Sequence, residues 1–206
     1  EFTEKGYKVY VVSETATELI NGGAKPFGQN PLPVNEFQEY ILELQVNKEK
    51  LFDKIANNTK QDTIILCDRG VMDNRAYITN EIFRDMLKKH NLNEMELMSS
   101  YDLVIHLVTS ADGAEEFYTT ENNSARTETA EEAKALDRRT LNSWLGHEHL
   151  AIIKNEKTFD DKIHTVIKSI YKMQKTEVEK WKIDVKDVTV YYLILMQFLV
   201  GDAQKY

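Results

Sequence analysis

Residues Thr63 to Asp73 read TIILCDRGVMD. Four apolar residues, Ile64, Ile65, Leu66 and Cys67, run straight into Asp68, Arg69 and Gly70, and a second acid, Asp73, follows three residues later. A short continuous apolar run rich in β-branched residues predicts a strand covered on both faces, as in the centre of a parallel α/β sheet. In such sheets ligands sit outside the carboxyl ends of the strands. Asp68 and Arg69 are therefore predicted to lie where chemistry takes place. A carboxylate can hold Mg²⁺ or a water, and a neighbouring guanidinium can grip phosphate oxygens. The alternative is that Asp68 only caps or turns the chain.

The same alternation extends in both directions. Apolar runs at Tyr7 to Ser13, Tyr101 to Thr109 and Leu150 to Lys154 read as three more strands, with helical spacing between them. That order is the sequence mark of a parallel sheet with crossover helices. The longest helix is expected over 35–58, with Phe37, Ile41, Leu44, Leu51 and Ile55 on one face, interrupted at Lys48, and a capping box from Asn35 to Gln38. Further helices are expected near 80–90, after Asn93, over 129–145 behind a Thr129–Glu132 capping box, and over 159–174 behind Thr158 and Asp161. Loops are expected at 21–33, which holds all three prolines, and at 110–128. The opening EFTEKG reads as the last turn of a helix closed by Gly6, so the chain is expected to begin inside a domain.

Composition narrows the function classes. The 206 residues, 42% hydrophobic and 29% charged, are ordinary for a globular α/β domain plus part of a second one. With 26 basic and 34 acidic residues the net charge is -8, which repels a nucleic-acid backbone. A small polyphosphate remains compatible, because a local cluster of Arg, backbone N–H groups and a metal can be positive on an acidic protein. The single cysteine, Cys67, lies in an apolar strand and reads as a buried thiol in a reducing, cytoplasmic compartment. His147 and His149 lack a Cys or third His nearby and read as structural, and His106 reads as a core residue.

From residue 175 the pattern changes to period two, with Glu177, Glu179, Trp181, Ile183 and Val185 on one predicted strand face. Inward carboxylates on a sheet need a cation, so Glu177 and Glu179 are candidate metal ligands; a solvent-exposed strand is the alternative. Val188 to Val200 is too short to span a bilayer and reads as a buried strand. None of the eight glycines leads into a Gly-Lys-Ser/Thr triplet, so the phosphate loop GxxxxGK[ST] does not occur in these residues. A strand, that loop and most of a helix would take roughly 25 residues, and they are expected upstream of Glu1.

Ser13 to Ala16 (SETA), the NGGA turn at Asn21 to Ala24, IILCDRGVMD, the long segment from Tyr101 to Asp137, WLGHEHLAIIKN and EVEKW together resemble the TRPL translocation defect protein family. The resemblance implies a kinase-like P-loop NTPase domain over 1–175, lacking its phosphate loop, followed over 176–206 by the β start of an incomplete CYTH-type triphosphate-tunnel domain. It implies a regulatory or trafficking factor that binds GTP or ATP with Mg²⁺, acidic phospholipids and a protein cargo, peripheral at membranes and without a transmembrane segment. The wider P-loop group also contains nucleoside and riboside kinases, and a degenerate fragment without ligand is a third reading.

Position by position, the resemblance gives Glu14 and Asp68 as catalytic acids, with Asp68 holding Mg²⁺ through water or orienting a nucleophile. It gives Arg69, the lid arginine Arg126, Arg138 and Asn155 as nucleotide contacts. The tunnel family opens with ExExK, which Glu177 and Glu179 fit while Trp181 stands at the lysine position. The 206 residues by themselves are expected to bind nucleotide weakly and to be inactive.

Overall fold

A computed structural model describes residues 1–113, 129–156, 158–181 and 190–196, with side chains described through residue 175. Its centre is a sheet of five parallel strands: β1 (Lys8–Val12), β2 (Thr63–Asp68), β3 (Leu103–Leu107), β4 (Leu150–Ile153) and β5 (Val190–Met196). The strand order is β1-β2-β5-β3-β4. The helices are α1 (Thr15–Asn21), α2 (Val34–Asn57), α3 (Asn80–Lys89), α4 (Glu94–Ser99), α5 (Ala130–Ser143) and α6 (Phe159–Trp181). Two short 3-10 turns, Thr3–Lys5 and Val71–Ala76, complete the described chain.

The strands alternate their side chains between two cores, as the pleat requires. Ile65 and Cys67 of β2 pack with Leu42, Phe83, Val104 and Trp144 on one side. Ile64 packs with Leu103, Ile105, Ile153, Val166 and Ile170 on the other, beneath α6. Both faces are thus covered, which explains the unbroken apolar runs of β2 and β3.

Local signals place several ends. Gly6 follows the first 3-10 turn at φ 93, a left-handed conformation that costs glycine nothing. Thr129 and Glu132 form the expected capping box of α5, and Thr158 accepts from the Asp161 N–H at the start of α6.

Three expectations give way. α2 begins at Val34 behind Pro33, without a side-chain cap, so the Asn35–Gln38 box is not made. Its buried face is also rotated: Phe37, Gln38, Leu42, Gln45 and Val46 point inward, whereas Leu51 and Ile55 are exposed. Hydrogen bonds draw Gln45 inward, as described below. Finally, the strand expected from residue 175 is helix as far as Trp181, because α6 runs on without a break. Glu177 and Glu179 therefore lie on a helix, and the strand reading of this segment does not hold for them. Residues 182–189, the rest of that pattern, lie outside the described residues.

The apolar run at 188–200 does contain a strand, but β5 enters the middle of the same parallel sheet. It pairs with β2 (Asp68 opposite Leu195) and with β3 (His106 opposite Met196). Residue 175 lies inside α6.

Candidate active site at the strand ends

From β1 through β2 and β3 to β4 the chain steps in one direction across the sheet, and β5 then returns to the position between β2 and β3. In parallel α/β sheets ligands sit outside the carboxyl ends of the strands. The residues there come from the loops after β1 and β2.

Arg69 directly follows β2. Its φ is 74, a left-handed value uncommon for a residue with a side chain. Its Nε lies 3.4 Å from Glu14 Oε1, just beyond β1, and its Nη1 lies 3.9 Å from Asp73 Oδ2. Burial works against the guanidinium charge, and Tyr77, Asp73, Glu14 and Asp68 more than offset it, so Arg69 stays firmly protonated. Asp68 completes the group. Burial first, and then the Glu14 carboxylate, push its carboxyl up to about 6, while Arg69 opposes them.

Asp73 belongs to the scaffold. Gly70 N–H donates to its Oδ2 at 3.2 Å and Trp144 Nε1–H donates to its Oδ1 at 2.6 Å. Burial raises its pKa, opposed chiefly by Arg69 and by the bond from Trp144. Thus α5, through the residue at its end, fixes the turn that carries Arg69.

A polar stripe on α2 clasps both loops. Lys48 Nζ donates to Ser13 O and to Glu18 Oε1, each at 2.6 Å. Gln45 accepts from the Thr15 hydroxyl and donates to Arg69 O at 3.3 Å. Glu49 accepts from the Tyr101 hydroxyl at 2.9 Å on both oxygens, and burial pushes it up to about 7. The sequence left a trace of this stripe in the break of the apolar repeat at Lys48. Tyr101 and Trp144 left none, since they lie at the start of an expected strand and within an expected helix.

The remaining candidates are dispersed. Asn155 Nδ2 donates to Thr109 O and to Asp112 O, both at 2.8 Å, and its Oδ1 accepts from Lys162. Its amide is occupied in joining the loops after β3 and β4. Arg138 is exposed on α5, whereas its neighbour Arg139 donates through Nε to Ala76 O at 2.8 Å. Arg126 lies outside the described residues. His147 and His149 engage the Tyr101 and Asp102 carbonyls, and His106 Nε2–H faces Asp137 Oδ2 at 3.2 Å. Among the described residues no three His, Cys, Asp or Glu group to hold a metal ion. No described helix is long and apolar enough to cross a membrane.

Comparison with known proteins agrees with this fold. A family model described as AAA domain matches residues 1–162, which include β1 to β4 and every residue of the Glu14–Asp68–Arg69 cluster. The chain belongs to the AAA domain family. No curated protein and no solved structure matches it. As an AAA domain, the chain is of the nucleotide-binding P-loop NTPase type. In this AAA domain, Glu14, Asp68 and Arg69 come together, while Asn155 joins the loops after β3 and β4 and Arg138 is exposed on α5.

Proposed function

We propose that this AAA domain binds GTP or ATP with Mg²⁺, and that the Glu14–Asp68–Arg69 cluster meets the phosphate end of the ligand. The reading rests on Arg69, held between Glu14 and Asp73 at the carboxyl ends of two neighbouring parallel strands. A guanidinium so held is aimed before any ligand arrives, which lowers the ordering cost of gripping phosphate oxygens.

The residues suit Mg²⁺. The Glu14 carboxylate raises Asp68, so a cation shared by the two acids would relieve that repulsion. Magnesium needs only one or two protein carboxylates when phosphates and waters fill its other positions. Asp68, through water, and Glu14 would hold it, and the ion would neutralise phosphate charge. A regulatory or trafficking role, contact with acidic phospholipids and a protein cargo complete the proposal; their support is the family resemblance of the quoted segments.

A second reading, a nucleoside- or riboside-type kinase, is favoured by one observation: Asp68 is pushed up to about 6, within reach of neutral pH. A carboxylate so tuned accepts a proton well. Asp68 or Glu14 would take the proton of an acceptor hydroxyl as its oxygen bonds to the terminal phosphorus, while the bridging P–O bond breaks toward the nucleoside diphosphate.

Titration calorimetry of the full-length protein with Mg·GTP and Mg·ATP tests both readings. Binding that weakens about tenfold in Arg69→Ala supports the first. Turnover stimulated by a single nucleoside or riboside favours the second over it. No binding of either nucleotide at millimolar concentration removes both. The 206 residues alone, without a Gly-Lys-Ser/Thr loop, are expected to bind more weakly than micromolar.

A further inference from the structure

Arg69 occupies a left-handed conformation that a residue with a Cβ adopts only when its surroundings impose it. The peptide groups on both sides of Gly70 show what imposes it. On one side, Arg69 C=O accepts from Gln45 Nε2 at 3.3 Å. On the other, Val71 N–H donates to the Tyr101 hydroxyl at 3.1 Å. These two anchors are themselves joined. Tyr101 donates to both Glu49 oxygens at 2.9 Å, and Gln45 Nε2 also donates to Glu49 Oε1.

Gln45 extends the connection to the other loop, because its Oε1 accepts from Thr15, the residue after Glu14. A single hydrogen-bonded network therefore runs from the Glu14 loop through α2 to both ends of the Arg69–Val71 turn, with Tyr101 entering from the start of β3. Gln45 is only 2% exposed and Tyr101 is 3% exposed, so both side chains are buried in the protein.

We propose that Gln45, Glu49 and Tyr101 are positioning residues, which set the Arg69 guanidinium against Glu14 by fixing the backbone on either side of Gly70. They act on ligand only through Arg69. The role they would serve rests on the nucleotide-phosphate reading above, but the positioning itself can be measured without ligand.

The experiment is nitrogen-edited NMR of the Arg69 Nε–H in the full-length protein, assigned through Arg69→Lys, with Mg·ATP and Mg·GTP titrations as a separate arm. Tyr101→Phe keeps the ring but removes the hydroxyl; Gln45→Leu keeps the volume but removes both polar ends. Each is expected to speed solvent exchange of the Arg69 Nε–H about fivefold. The side chain of Arg75, which pairs with Glu94 at 2.8 Å elsewhere, serves as control and should keep its signal. Glu49→Gln, which retains an acceptor for Tyr101, should keep most of the protection. If neither Tyr101→Phe nor Gln45→Leu changes the Arg69 signal, the proposal is wrong. It is equally overturned if Arg69 and Arg75 lose protection together, since the network would then be a general fold contact. Loss of nucleotide binding in the unmutated protein would remove the ligand reading and leave the NMR result to stand for the brace.

Discussion

Trp144 Nε1–H donates to Asp73 Oδ1 at 2.6 Å, joining two residues 71 positions apart in a buried contact. The indole is fully buried and stacks edge-on against Tyr101, with ring centroids 5.3 Å apart. One bond thereby fastens the end of α5 to the turn that carries Arg69. Removing the donor leaves a buried acid without its strongest neutral partner.

Trp144→Phe is accordingly expected to destabilise the protein by about 2–4 kcal/mol, combining an unsatisfied buried acceptor with lost ring volume. Urea unfolding at neutral pH measures it. A loss below about 0.5 kcal/mol would show that Asp73 finds another donor.

The raised carboxyls set the pH dependence of stability. Asp68 moves from 3.8 to about 6 and Glu49 from 4.5 to about 7, both through burial first. Between each pair of values the folded state holds more protons than the unfolded one, so these groups make stability fall as pH rises from about 4 to about 7. Asp68→Asn should flatten the lower part of that slope and stabilise the fold at pH 8 by on the order of 1 kcal/mol. Thermal melts across pH 4–8 provide the comparison; an unchanged slope contradicts the shift at Asp68.

Arg138 and Arg139 are adjacent but differ in what they hold. Arg139→Ala loses the bond to Ala76 O and should cost about 1 kcal/mol by loosening α5 from the 3-10 turn. Arg138→Ala, at an exposed position, should leave stability within about 0.5 kcal/mol. Parallel chemical denaturation distinguishes them, and equal losses would refute the assignment.

Cys67 is fully buried in β2, and burial pushes its thiol well above the ordinary range. The nucleophile is the thiolate, so the native protein should resist iodoacetamide at pH 8 and react once unfolded in urea. Mass spectrometry reads the single modification. Rapid labelling of the native state would indicate that β2 opens.

How far these features could be read in the sequence depended on the range of the interactions that make them. β2 was legible because a strand covered on both faces needs an unbroken apolar run, and Ile64 to Cys67 supply one. The Thr129–Glu132 cap was legible because its partners are three residues apart. The inward face of α2 was not: Leu51 and Ile55 fit the helical period as well as Leu42 and Val46 do, and only the clasp at Gln45 chooses the rotation. The period-two reading of 175–185 failed at its start because alternation of polar and apolar residues is also compatible with continuation of a long helix, and α6 supplies that continuation.

By itself, the sequence determined a parallel α/β architecture, the strand ends carrying Glu14 and Asp68–Arg69, and an acidic chain, because these follow from local periodicity and net charge. Only the tertiary structure decided that β5 enters between β2 and β3, that Asn155 joins the loops after β3 and β4, and that Gln45, Glu49, Tyr101 and Trp144 hold Arg69 in place. Those outcomes rest on hydrogen bonds and strand pairings between residues tens of positions apart, and no local pattern encodes which distant partner a buried polar group will meet.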